Sequence, residues 1–196
     1  MATEVKTPVA NPGPLGLAGF ALTTFVLSLI NAGILSDTHV GIVIGLAVAY
    51  GGLAQFTAGM WEFRAGNTFG ATAFTSYGAF WISFALILIG TGITSSNAPD
   101  ATAVGYYLLG WAIFTGLMML ASLRTNAATA MVFILLFLTF LLLAIGKLNG
   151  STNIYQIGGF FGLATAIVAW YTALAGVLAS VNGGKNILPV FPLARA

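Results

Sequence analysis

The sequence predicts an all-α integral membrane protein, a bundle of six transmembrane helices with both termini on the cytoplasmic side. Three observations predict it. Hydrophobic residues make up 59% of the 196-residue chain and charged residues only 5%, against roughly 25% charged in an ordinary soluble domain. Mean hydropathy is +1.00. The few charges also punctuate apolar stretches long enough to cross ~30 Å of hydrocarbon, which takes about 20 helical residues. Those stretches are roughly 15–35, 40–61, 70–93, 104–123, 127–146 and 155–181. Finally, the basic residues are unevenly placed. Lys6, Arg64, Arg124, Lys185 and Arg195 fall in the N-terminus, loop 2–3, loop 4–5 and the C-terminus, whereas Lys147 alone falls on the other side. Excess Lys and Arg marks the cytoplasmic side.

One transmembrane unit, 15–181, is therefore expected between cytoplasmic tails at 1–14 and 182–196. The first span lacks the basic stretch, short apolar core and small-residue site of a cleavable leader. The first span carries a polar stripe: Phe20, Thr24, Ser28 and Asn31 are spaced by 4, 4 and 3, hence on one helical face. Asn11-Pro12-Gly13-Pro14 precedes it; Pro14 suits a first helical turn, and Asn11 can cap locally. In the second span Gly41, Gly45, Gly52, Gln55 and Gly59 are expected on one packing face, because close packing holds helices together in lipid. Glu62 follows on that face, either paired with Arg64 at the interface or acting as a gating or coupling residue.

The third span opens at Gly66-Asn67-Thr68-Phe69-Gly70, where Asn67 or Thr68 can cap, and carries Thr72, Thr75, Ser76, Tyr77 and Ser83. Unpaired polar groups are costly in hydrocarbon. The stripes of spans 1 and 3 therefore either bond other helices or line a path for a small polar solute. Leu123-Arg124-Thr125-Asn126 is the whole link between spans 4 and 5, which makes an antiparallel hairpin. Met131 to Leu143 of span 5 is nearly all large and apolar, Thr139 excepted; it either faces lipid, which the sequence favours, or supplies an apolar constriction. Span 6 carries a small-residue seam, Gly162, Ala166, Ala169, Ala173, Gly176 and Ser180, at steps of 4, 3, 4, 3 and 4. Gly19 to Thr24 and Gly110 to Thr115 share a Gly-aromatic-Ala-aliphatic-x-Thr pattern, a short hint of a 3+3 inverted repeat.

Several functions are excluded. The chain has no cysteine and one histidine, His39 in a short loop, so disulfides, thiolate metal sites and Ser–His chemistry at membrane depth are absent. No mid-span lysine is present for a Schiff base. A net charge of +2 without a clustered basic face is no nucleic-acid footprint. Neither an enzyme, a cofactor nor a metal is expected. A path with few fixed charges suits a neutral solute, or a weak acid that carries its own proton at a pKa of ~4.

Asn11-Pro12-Gly13-Pro14-Leu15-Gly16-Leu17, with Gly19-Phe20 and Thr23-Thr24, resembles the signature of the acetate uptake transporter family. That signature usually has Ala in place of Gly13. Tyr50-Gly51-Gly52-Leu53-Ala54-Gln55, Gly66 to Gly70 with Phe74-Thr75-Ser76-Tyr77-Gly78, and Leu142-Leu143-Ala144-Ile145-Gly146 agree with it. The resemblance covers essentially the whole chain. It implies transport of acetate and related short carboxylates, succinate among them, across the cell membrane by symport with protons or by channel-like permeation. It further implies a hexamer with a pore in each subunit, and a hydrophobic constriction falling on Phe20, Tyr77 and Leu136. An alanine tied to substrate choice falls on Ala169, here followed by the bulky Trp170 and Tyr171. Asn11 and the helix starts are expected to gather the carboxylate. Thr24, Ser28, Asn31, Gln55 and Thr75 are expected to line the path or bind substrate, and hydrogen bonds from Thr24 and Tyr77 to lower the desolvation cost. The competing readings are a passive channel for urea or short amides, and a sensor or scaffold that transports nothing.

Overall fold

The computed structural model describes residues 9–93 and 99–193. Glu4, Lys6 and Arg195, which entered the charge count, lie outside the described residues. Six helices are long and apolar enough to cross a membrane: α1 (Gly13–Asn31), α2 (Gly41–Ala65), α3 (Thr68–Ile93), α4 (Ala101–Ser122), α5 (Ala127–Leu148) and α6 (Thr152–Val181). Each overlaps one expected span. A 3-10 turn, Asp37–His39, joins α1 to α2.

Caps fix the ends. Asp100 accepts from the Ala103 amide at 2.7 Å, Asn126 from Thr129 at 2.9 Å and Ser151 from Ile154 at 3.4 Å, each satisfying a donor that the first helical turn leaves free. These caps carry α4 and α6 three residues upstream of the hydropathy boundaries at 104 and 155. The first span is shorter than expected. Its chain turns at Gly33, where φ is +74°, and the amides of Ile34 and Leu35 both bond back to the Leu29 carbonyl.

α2 departs most from the expected pattern. Ala49–Ala54 is a π-helical turn, which holds one residue more than an α turn and so rotates the buried stripe. Val43 and Ala47 are buried before it, Gly51 and Gly52 within it, and Gln55, Ala58, Gly59 and Glu62 after it. The expected single glycine face is thereby split, since nothing lies within 4 Å of a Cβ placed at Gly41 or Gly45. From the turn onward the glycines do mark close crossings. A side chain on Gly51 would stand 2.6 Å from Thr23 Oγ1 of α1, and one on Gly78 of α3 would stand 2.7 Å from the Phe56 amide nitrogen.

α6 packs along α1 and α5, α5 along α4, and α2 along α1 and α3. The α6 seam works as expected from Gly162, whose missing side chain makes room for Ser28, to Gly176, which receives Pro14. Ser180 is exposed. α5 corrects a sequence expectation. Its Val132, Phe133, Leu136, Thr139, Phe140 and Leu143 are buried, so one face points into the bundle. A uniformly apolar segment has no polar side to reveal which face is inward, so composition alone reads it as lipid-facing.

The two segments sharing the Gly-aromatic-Ala pattern stand in different surroundings. A Cβ placed on Gly19 would stand 2.5 Å from the Tyr50 carbonyl oxygen, whereas one on Gly110 would meet nothing within 4 Å.

Candidate functional site

Three cavities follow one another through the bundle. At the end carrying the termini, a cavity of about 270 Å³ is lined by Asn11, Gly13, Phe20, Gln55, Glu62, Asn67, Tyr77, Thr129, Phe133 and Leu136, among others. A small middle cavity of about 50 Å³ is lined by Phe20, Thr24, Ser28, Asn31, Phe80, Leu136, Thr139 and Tyr155, among others. At the far end a vestibule of about 770 Å³ is lined by Leu27, Asn31, Asp37, Phe84, Lys147, Tyr155 and Gln156, among others. Phe20 and Leu136 line both the first and the second cavity, and Leu27, Asn31, Phe84, Val104 and Tyr155 line both the second and the third.

The α1 stripe thus faces inward as its spacing predicts, with Phe20, Thr24, Ser28 and Asn31 all on the middle cavity. Thr24 Oγ1 is buried without a hydrogen-bond partner, although unpartnered buried hydroxyls are uncommon. Asn31 Oδ1 accepts from the Tyr155 hydroxyl at 3.0 Å. The rings of Phe20 and Tyr77 are 6.0 Å apart, and Tyr77 also packs on Phe114, Trp111 and Phe133 at 5.5, 6.0 and 6.2 Å. All three residues of the expected constriction are buried: Phe20 is 4% exposed, Tyr77 3% and Leu136 3%.

The Tyr77 hydroxyl corrects one expectation. It lies 2.9 Å from Thr115 Oγ1, and Thr115 spends its own proton on the Trp111 carbonyl at 2.7 Å. Tyr77 is therefore the donor in the pair. Its hydroxyl is held by α4, and its ring faces the cavity. Thr75 and Ala169 line none of the three cavities. Thr75 sits where α2 crosses α3 and would collide with any side chain on Gly59, while Ala169 is fully buried on the α6 seam.

Asn11 Oδ1 accepts from the Gly13 amide at 2.9 Å, and Asn67 Oδ1 from the Gly70 amide at 3.1 Å. The starts of α1 and α3 so converge on the first cavity. Glu62 stands between them, 2% exposed, and accepts from Asn67 Nδ2 at 2.9 Å. Its pairing with Arg64 is not found: Arg64 is exposed, two residues along the helix. Gln55 reaches the same cavity with a buried carbonyl oxygen that has no partner.

Sequence reasoning missed Thr129 and Phe133 of α5 and Tyr155 of α6. A signal existed in α5, where Thr129 and Thr139, the polar residues of the helix between its cap and Lys147, fall ten positions apart on the same face as Leu136.

Residues 1–195 match the model of the GPR1/FUN34/yaaH family. The chain belongs to that family. Among its members, acetate permease A of Emericella nidulans is 50% identical over 92% of this chain, and the chain spans 65% of that permease's length. The succinate-acetate/proton symporter SatP of Escherichia coli K12 is 41% identical, over 94% of this chain and 97% of its own. The solved structure of the bacterial acetate channel SatP superimposes with a TM-score of 0.88 at 41% identity, covering 93% of this chain and 99% of that one. The fold and the family expected from the sequence are both borne out, as is a multi-pass membrane protein. The relatives are transporters and channels, in line with an expected transporter.

Proposed function

We propose that this family member moves acetate and related short carboxylates across the cell membrane, through a path of its own in each subunit. The observation that carries the reading is the row of three cavities, interrupted where Phe20, Leu136 and the Tyr77 ring meet. Apolar rings of this kind exclude water, so an ion passes only where its dehydration is compensated. Thr24 on one side and Gln55 on the other each hold an unpartnered polar oxygen. The Thr24 hydroxyl can donate to a carboxylate leaving water, while the Gln55 carbonyl oxygen, an acceptor, suits the proton of a neutral acid. The converging starts of α1 and α3 add positive potential at the first cavity.

Among the described residues, Glu62 is the one Asp, Glu, Lys, Arg or His side chain lining that cavity. A charged Glu62 repels an approaching carboxylate, whereas a protonated one admits it. It is thus the group placed to link protons to passage. The excess of basic residues puts the termini, and so the first cavity, on the cytoplasmic side. The resemblance supports a hexamer, and the outward apolar residues such as Ile113 and Leu117 of α4 supply surface for lipid and for neighbouring copies.

Uptake of labelled acetate into proteoliposomes, with and without an inward proton gradient, tests the reading; urea and succinate are run beside it. Acetate uptake stimulated by the gradient is expected. Urea flux without acetate flux would replace the carboxylate reading with an amide channel. The family relationship and the three-cavity path favour carriage of a solute over a sensor or scaffold.

A further inference from the structure

We propose that Lys147 recruits the substrate as its carboxylate anion at the far vestibule and sets the apparent affinity from that side. The inference rests on the carboxylate reading above. Lys147 closes the last turn of α5. Its ammonium nitrogen sits 4.5 Å from the centroid of the Tyr155 ring, a cation–π distance that orders an otherwise mobile side chain. The same Tyr155 donates its hydroxyl to Asn31 and lines both the vestibule and the middle cavity. The charge is therefore parked at the junction through which a solute leaves the vestibule for the middle cavity.

Among the described residues, Lys147 is the sole Lys or Arg lining the three cavities. Arg64, Arg124 and Lys185 are exposed and line none of them. One carboxylate, Asp37, shares the vestibule, and Asp100, which caps α4, stands next to the lining residues Pro99 and Ala101. The two acidic groups disfavour an anion, and Asp37 acts electrostatically on Tyr155 as well. Lys147, held on the same ring, offsets them and supplies the vestibule's attraction for the carboxylate over the neutral acid. In a vestibule of mixed charge the attraction is local to the lysine, and salt weakens it over a Debye length of ~8 Å at physiological ionic strength.

A purely structural lysine, completing the helix dipole and packing on Tyr155, would affect folding but not the salt dependence of uptake. The test is the KM for labelled acetate in cells expressing the full chain, at low and high ionic strength. For Lys147→Gln, KM at low ionic strength is expected to rise about threefold or more, with maximal rate within about twofold of the parent, and its salt dependence to flatten. Lys147→Arg is expected to keep the parent's KM, and Asp37→Asn to lower it. A parent that transports acetate with a salt-independent KM, or a Lys147→Gln variant with unchanged KM and salt dependence, would overturn the inference. If Lys147→Gln does not reach the membrane, the parent's salt dependence and the direction of the Asp37→Asn shift decide. Absence of acetate uptake by the parent would instead overturn the carboxylate reading itself.

Discussion

Replacing Phe20 and Tyr77 together by alanine is expected to widen the barrier between the first and middle cavities and to relax selection by size. The two rings stand 6.0 Å apart and are almost fully buried. Truncating both joins a cavity of about 270 Å³ to one of about 50 Å³. A larger dicarboxylate should gain more from this opening than acetate does. The ratio of succinate to acetate flux is expected to rise about tenfold, which corresponds to ~1.4 kcal/mol of differential barrier. Competition uptake in proteoliposomes reads it directly. Unchanged flux and unchanged preference would remove these residues from the barrier. Tyr77→Phe separates ring from hydroxyl. Because the hydroxyl is committed to Thr115, this change should leave selectivity nearly intact and weaken the α3–α4 contact by about 0.5–1.5 kcal/mol, the usual net worth of one hydrogen bond.

Inserting one alanine after Leu53 is expected to abolish transport. Leu53 lies in the π turn with its side chain 56% exposed, so the insertion disturbs little packing at the site itself. The turn already holds one residue more than an α turn, and a second extra residue adds ~100° of rotation and ~1.5 Å of rise. Gln55, Gly59 and Glu62 would then leave the face on which they meet the first cavity and α3. Uptake should drop to background, whereas deleting Leu53, which returns the turn to α geometry with its flanks on the same faces, and Leu53→Ala should both keep uptake well above it. An insertion that transports normally would show that the π turn does not set the register of the path.

These two predictions lean on features of unequal legibility in the sequence. The α1 stripe was readable because polar residues at 3–4 spacing stand out against an apolar background, and their inward direction follows from the cost of leaving them in lipid. The α6 seam was readable for the same kind of reason. The π turn was not. A glycine pair such as Gly51-Gly52 is compatible with it, but the close approach of Thr23 from α1 to Gly51 is visible only in the fold. Extending the glycine face across it consequently placed Gly41 and Gly45 on the wrong side. The inward face of α5 was hidden by uniform hydrophobicity. Thr75 showed the opposite fault: a hydroxyl in a span reads as path-lining, yet a crossing with Gly59 absorbs it. The Tyr77 hydroxyl could not be assigned without knowing that α4 brings Thr115 within 2.9 Å.

The most direct measurement uses the absence of cysteine from the whole chain. Single variants Thr129→Cys, in the first cavity, and Asn31→Cys, where the vestibule meets the middle cavity, can be labelled with a membrane-impermeant thiol reagent from either side of the membrane. Thr129→Cys is expected to react only from the cytoplasmic side and Asn31→Cys only from the outside, with acetate slowing both reactions. Adding Phe20→Ala should let the reagent cross to the opposite position. Reaction of both cysteines from the same side, or no protection by acetate at either, would contradict a carboxylate path running through the subunit and closed between these two points.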